Sequence, residues 1–290
     1  MTGNIATHAA VAGEDSFLPS VGNERLACYD WPLAPGAKAL AHVLIVHGLG
    51  EHAGRYRHVA QQLNNWGYAV RAYDQYGHGR SDGPRGGLPS ATRLHDDLAR
   101  LLDAMRATLA PGDKLVLLGH SLGGLVAGSF VARGLREVDA LVLSSPALDP
   151  GLNTVQKLLV ALLPALLPDL RVGNGLNPNY LSHDEAVVRA YLNDPLVHDR
   201  IAARLARFIA DEGPATVAKA SQWHTPTLLI YAGQERLLNP EGSRRFAALA
   251  PKHLVQAHCF DSLYHEIFNE LDAEPVFAAL RAWLDQRFAV

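Results

Sequence analysis

The chain has 290 residues, 48% of them hydrophobic and 19% charged, which excludes disordered and fibrous architectures. A chain of this length buries about 75% of its unfolded surface, so it can hold a core without disulfides or a structural metal. With 26 basic and 29 acidic residues, a net charge of -3 and no run of five like charges, nothing draws it electrostatically to nucleic acid.

Residues 1–15 lack both a basic start and an apolar core, which argues against a secretory signal and predicts a loose tail. Segments 17–20 and 25–31 flank Gly22-Asn23, a turn signal that predicts an opening β-hairpin. Four short apolar runs follow, at 43–47 (VLIVH), 69–73 (AVRAY), 115–119 (LVLLG) and 141–144 (LVLS). Between them, 56–66, 93–108 and 122–133 carry apolar residues at helical spacing. Continuous apolar strands alternating with amphipathic helices predict a mostly parallel, doubly wound α/β sheet. After Ser145-Pro146 the alternation stops, and 149–216 shows helical patterns with no strand-like run, the mark of a helical insertion. Its most apolar part, 158–170, is broken by Pro164 and Pro168 and falls short of the ~20 residues a membrane span requires. The rhythm resumes with strand 227–231 (TLLIY), helix 240–249, strand 254–260 and a terminal helix 274–287. The chain thus divides into a tail (1–15), a core (16–148 and 217–290) and an insertion (149–216). Cys28 and Cys259 stand far apart without metal-ligand spacing, so reduced thiols and a cytoplasmic setting are expected.

The strongest local signal is Gly119-His120-Ser121-Leu122-Gly123, a G-x-S-x-G motif between a predicted strand and a predicted helix. A sharp strand-to-helix turn leaves no room for Cβ atoms two positions either side of the serine, and it lifts the hydroxyl to the carboxyl end of the sheet. A serine hydroxyl is a weak nucleophile until a base takes its proton. In chain order the base follows, and His265, just after the last strand, is the candidate; His253 and His258 lie before or within that strand. The acid that orients the imidazole is expected after the penultimate strand, where Glu235 is the one carboxylate in the loop. Asp149, after the preceding strand, is the alternative, whereas Asp261 sits too near His265 in the same turn. Backbone N–H groups of Leu49 and Leu122 would converge beside Ser121 as oxyanion donors. His47, Asp74 and His78, in glycine-rich turns, are expected to satisfy the turns' own backbone groups rather than to catalyse.

These segments together resemble the monoacylglycerol lipase and lysophospholipase branch of the α/β-hydrolases, on HGLGEHAGRY (47–56), DQYGHGRS (74–81), GHSLGG (119–124), VRAYLNDPLVH (188–198) and YHEIFNE (264–270). The resemblance implies a serine ester hydrolase acting on acyl esters without a cofactor, through an acyl-enzyme. It places Ser121 and His265 on the nucleophile and base, Leu49 and Leu122 on the oxyanion donors, and Glu51, Arg55 and Tyr191 around a polar pocket for the substrate alcohol. The insertion becomes a cap, whose leucine-rich part either packs inward or stays exposed to admit acyl chains and touch a membrane surface. The family usually has aspartate where this chain has Glu235, and glycine where it has Ser262.

Other classes fit less well. Gly48-Leu49-Gly50 with Asp74 imitates a dinucleotide fingerprint, but Gly54 comes one residue late and the serine motif goes unexplained. His265-Glu266 begins like a zinc-protease motif, yet Asn269 stands where the second ligand is needed. An inactive binding protein or a general short-chain esterase on the same fold are the remaining alternatives.

Overall fold

The computed structural model describes residues 15–289. In chain order its elements are β1 (Asp15–Pro19), β2 (Arg25–Trp31), β3 (His42–Val46), α1 (Arg57–Asn65), β4 (Ala69–Tyr73), α2 (Arg93–Arg106), β5 (Leu115–His120), α3 (Leu122–Ala132), β6 (Ala140–Ser144), α4 (Thr154–Leu166), β7 (Arg171–Gly173), α5 (Glu185–Asn193), β8 (Arg200–Ala202), α6 (Ala203–Ala218), β9 (Thr227–Ala232), α7 (Glu241–Leu249), β10 (Val255–Phe260) and α8 (Glu274–Phe288). The expected tail falls outside the described residues, apart from Asp15, where β1 begins.

Eight strands form one sheet in the order β1-β2-β4-β3-β5-β6-β9-β10. The hairpin β1/β2 is antiparallel, as is β2 with β4, and every other neighbouring pair is parallel. This is the mostly parallel, doubly wound sheet that the alternating pattern predicts, and the order fits the fold that the resemblance implies. Alternate strand residues face opposite sides. Val43, Ile45, Val116, Leu118, Val142, Leu228 and Ile230 pack with Val59 and Leu63 of α1 and Leu280 and Trp283 of α8. Leu44, Val46, Leu117, Leu143 and Leu229 pack on the other face with α2, α3, α6 and α7. Both faces are covered, which is why β5 is buried at all its positions and reads as an unbroken apolar run. Helix α3 departs from the expected amphipathic pattern: it is buried from Leu122 through Phe130, because the sheet lies on one side and α6 on another.

The inserted segment holds two surprises. It contains strands after all, β7 and β8, paired antiparallel through Arg171↔Ala202, Val172↔Ile201 and Gly173↔Arg200. Three residues are too few for a period-two pattern to register, and the pairing joins positions far apart in sequence. The expected boundary at 216 also falls inside α6, whose Leu205, Phe208, Ile209 and Val217 join the main core and whose Glu212 pairs with Arg133 of the segment after α3. By contrast α4 buries none of its residues: Val155, Leu158, Leu159, Leu162 and Leu166 are all exposed, Leu166 by 79%.

Because β3, β5, β6, β9 and β10 run parallel, the loops that leave them (47–52, 121, 145–149, 233–239 and 261–266) gather at one edge of the sheet. At the turn from β5 into α3 the backbones touch. A Cβ on Gly123 would run into the Val46 and His47 carbonyls, and one on Gly119 into the Gly123 backbone. Gly128, one turn further along α3, has only ordinary van der Waals contacts, the nearest 3.6 Å from where its Cβ would lie. Gly123→Ala should therefore cost roughly 1–3 kcal/mol or more, as overpacking against immovable backbone does. Gly128→Ala should instead be neutral or stabilising by about 0.5–1 kcal/mol through helix propensity. Urea unfolding of both variants checks this; equal losses would contradict the packing argument.

Candidate active site

Ser121 occupies the tip of the turn between β5 and α3 with φ 52°, ψ -118°, in the left-handed region that a side-chain-bearing residue rarely adopts. Three backbone bonds hold it there: its N–H donates to the Ser144 carbonyl at 3.0 Å, and its own carbonyl accepts from Leu125 at 2.9 Å and Ala147 at 3.0 Å. The hydroxyl stands at the N-terminus of α3, where free backbone N–H groups favour negative charge.

Ser121 and His265 line the same open cleft. Leu49 and Leu122 are on its wall too, so the residues expected to supply oxyanion N–H groups flank the serine. The rest of the wall is largely apolar, with Leu237 and Leu238 from the loop after β9, and Val160, Leu176, Ile201 and Ile209 from the inserted segment and α6. Asn174 adds an amide.

His265 Nδ1 lies 2.6 Å from Glu235 Oε2, both side chains being almost fully buried. The other carboxylate oxygen, Oε1, accepts the Leu237 N–H at 2.8 Å and the Leu238 N–H at 3.3 Å, so the carboxyl group is fixed at both ends. Burial disfavours the imidazolium, but the Glu235 charge and hydrogen bond, helped by Glu266 and Glu51, outweigh it and raise the His265 pKa above the ordinary imidazole value. Burial likewise acts to raise Glu235, and the His265 charge, its hydrogen bond and the two loop N–H groups reverse that and hold the carboxyl low. The His120 ring, 4.8 Å from that of His265 and tilted 57° to it, has its pKa pushed down to about 4 by burial and by His265, so near neutral pH it packs there without adding charge. Sequence reasoning passed over His120, although its place inside the serine motif put it within reach.

The rival acids are engaged elsewhere. Asp149 accepts from the Gly151 N–H and the Asn239 side chain, each at 3.0 Å, and Asp261 takes the Cys259 thiol at 3.3 Å. His253 and His258 are absent from the cleft wall. His47 fixes its own loop: Nε2 accepts the Gln75 N–H and Nδ1 lies 2.7 Å from the Gly48 carbonyl. Asp74 accepts from the Ala53 and Arg80 N–H groups and the Tyr29 hydroxyl, and His78 Nδ1 lies 3.0 Å from the Tyr76 carbonyl. Cys28 and Cys259 are both free thiols.

Glu51, Arg55 and Tyr191 form a single cluster, though none is on the cleft wall. Arg55 Nη1 binds Glu51 Oε2 at 2.6 Å, and its guanidinium lies over the Tyr191 ring at 4.9 Å. Glu51 Oε1 accepts from the Gly48 N–H and the Tyr56 hydroxyl, each at 2.6 Å. Gly48 is wedged between this carboxylate and the serine: a Cβ there would lie 2.7 Å from Glu51 Oε1 and 3.2 Å from Ser121 Cβ. The Tyr191 hydroxyl and the Asn174 amide both close on Gly50, 3.4 and 3.5 Å from where a Cβ would lie. Sequence reasoning also missed Asn174, which lies in a loop with no pattern to mark it, and Glu266, whose two oxygens hold Arg55.

A family profile described as "Serine aminopeptidase, S33" matches residues 37–272. Monoacylglycerol lipase of Mycolicibacterium smegmatis is 33% identical over 279 residues, covering 95% of this chain and 98% of that protein. An abhydrolase domain-containing protein of Dictyostelium discoideum is 31% identical over 94% of this chain, which spans only 29% of that longer protein. The crystal structure of Paleococcus ferrophilus monoacylglycerol lipase superposes with a TM-score of 0.81 at 32% identity, covering 90% of this chain and 99% of that one.

The electrostatics of the buried pair can be read directly. In a histidine titration followed by NMR, the His265 ring should change charge above the ordinary imidazole pKa of about 6.5. Glu235→Gln removes the leading group that opposes burial, so the midpoint should move to lower pH. A midpoint indifferent to Glu235 would mean the 2.6 Å contact does not exist in solution.

Proposed function

The chain belongs to the α/β-hydrolase family whose profile it matches, and from that premise we propose that it cleaves acyl monoesters, monoacylglycerols or lysophospholipids, through an acyl-enzyme on Ser121. It is a carboxylic ester hydrolase. One observation carries the mechanistic reading: Ser121 and His265, whose ring is held by Glu235, face one cleft beside the residues whose N–H groups would receive the oxyanion.

In this reading His265 takes the Ser121 proton as the hydroxyl attacks the ester carbonyl. The negative oxygen that forms is held by the Leu49 N–H in the loop after β3 and the Leu122 N–H at the start of α3. Glu235 keeps the imidazole oriented and stabilises the imidazolium, which then protonates the departing alcohol. Water activated by the same histidine hydrolyses the acyl-enzyme. No cofactor takes part. The apolar wall from Val160 to Leu238 suits an acyl chain, each buried methylene contributing about 0.8 kcal/mol, which favours long chains without separating neighbouring lengths sharply. The alcohol is placed toward Asn174 and Tyr191, where the Glu51–Arg55 cluster begins.

The segment between β6 and α6 serves as a cap, and the leucines of α4 are its contact with lipid. No helix among the described residues is long and apolar enough to cross a membrane. An apolar helix face beside the cleft, exposed on Leu158, Leu162 and Leu166, suits reversible contact with an aggregate surface by a cytoplasmic enzyme.

Ser121→Ala and His265→Ala should each lower turnover by about 10⁴- to 10⁶-fold, and the double variant should lose little more, since the groups act as a unit. Near-additive losses would contradict the scheme. Glu235→Gln should cost on the order of 10²- to 10⁴-fold while Asp149→Asn stays close to wild type; the reverse would move the acid to Asp149. Assaying wild type and Ser121→Ala on monoacylglycerols, lysophospholipids and short soluble esters tests the substrate class: hydrolysis of short esters alone gives a general esterase, and no hydrolysis gives a binding protein. Replacing Leu158, Leu162 and Leu166 with serine should slow hydrolysis of substrate presented in vesicles several-fold and leave a soluble short ester unaffected. Equal effects on both would rule out surface contact.

A further inference from the structure

The scheme above leaves out Glu266, the residue that follows the base. It is buried, 4% exposed, and both its carboxylate oxygens are on Arg55, Oε1 to Nη1 at 2.6 Å and Oε2 to Nη2 at 2.7 Å. Arg55 Nη1 also binds Glu51, and Glu51 takes the Gly48 N–H, one residue before Leu49. An unbroken series of short charge-assisted bonds therefore runs from the loop of the base to the turn of the oxyanion donor, joining positions 211 apart in sequence. The series is tied down at its far end as well. The Glu266 N–H donates to the Leu181 carbonyl of the inserted segment at 2.8 Å, and the Asn269 amide donates to Glu266 Oε2 at 2.8 Å.

The sheet alone does not secure this separation. Strands β3 and β10, from which the two loops leave, have β5, β6 and β9 between them, about 19 Å at roughly 4.8 Å per strand. Small errors accumulate over such a span, and a misplacement of about 1 Å can cost on the order of 10² in rate. A purely stabilising role explains the arrangement poorly, because two carboxylates on one buried guanidinium are seldom better for stability than apolar side chains of similar size.

We propose that Glu266 is a positioning residue: through Arg55 and Glu51 it fixes the His265 loop against the Gly48–Leu49 turn, so that base and oxyanion donor keep one separation. This rests on the ester-hydrolase mechanism proposed above. It also makes Glu266 one of the charges that face His265, together with Glu235 and Glu51, while the neighbouring His120 is neutral near neutral pH and Arg55 is bound to both Glu266 and Glu51.

The test uses the full chain with Glu266→Ala and Glu266→Gln. The first should lower kcat and the rate of labelling by a fluorophosphonate probe by on the order of 10²-fold with a much smaller change in KM, and Gln, which keeps one acceptor for Arg55, should recover part of the loss. In both, the acid limb of kcat/KM should move to lower pH, because a negative charge facing His265 is gone. NMR of the same variants, which needs no turnover, should show shifts of the Leu49 amide and of the His265 titration. Wild-type kcat with an unmoved acid limb and an unshifted Leu49 amide, even with a lowered Tm, would overturn the proposal. If wild type neither hydrolyses an ester nor reacts with the probe, the mechanism fails instead, and the Leu49 and His265 resonances still decide whether Glu266 couples the two loops. Should Glu266→Ala not fold, Glu266→Gln carries every readout.

Discussion

A serine held at φ 52° between two glycines is the constraint around which the site is organised. The backbone there is strained, and it persists because its surroundings over-determine it: the Ser144, Leu125 and Ala147 bonds fix the peptide groups while Val46 and Gly123 close on one another without side chains between them. Such a turn can exist only where a buried parallel strand feeds directly into a buried helix, since each must supply rigid backbone for the other to lean on. The buried runs of β5 and α3 are therefore part of what positions Ser121. They hold one hydroxyl at the sheet edge, at a helix N-terminus, with no freedom to retreat.

Around that point burial and pairing oppose one another, and pairing prevails at Glu51, Glu235 and His265. A buried imidazole alone would lose basicity, as His120 does, its pKa pushed down to about 4. His265, at similar burial, moves the other way because Glu235 contacts it and Glu266 and Glu51 stand behind. Two rings 4.8 Å apart thus carry opposite tendencies, set by which of them has a carboxylate on its nitrogen. The negative charges are in turn held by Arg55 and by backbone N–H groups, so none is left buried without a partner.

How far this was legible in the sequence follows from what each residue's role depends on. The sheet, its helices and the turn at Ser121 are written in local pattern, period and glycine spacing, and those are the signals a single sequence carries. His265 and Glu235 follow from chain order once the fold is assumed, because the parallel topology dictates which loops share an edge. Strands β7 and β8 were invisible because three residues make no pattern. The true extent of α6 was hidden because one helix covers α4 on one side and α3 on the other, giving no clean apolar stripe. Glu266 and Asn174 could not be ranked because their importance lies in partners more than 100 positions away or in a cleft that exists only after folding.

The substitution of glutamate for the usual aspartate shows how such a site absorbs a change in length. The added methylene must go somewhere, and two features of the loop after β9 receive it. Gly233 lies directly against the backbone of Asp261, where even a Cβ would come within 2.5 Å of the Asp261 Cα, so the loop leaves the sheet packed tightly on β10's own exit. The carboxylate then reaches the imidazole with one oxygen while the other is caught by the Leu237 and Leu238 N–H groups. A longer side chain has one more rotatable bond to restrain, and these two N–H groups restrain it. The glutamate is therefore fitted to this loop, and the loop to it, which makes the pair a single structural unit despite its departure from the family pattern.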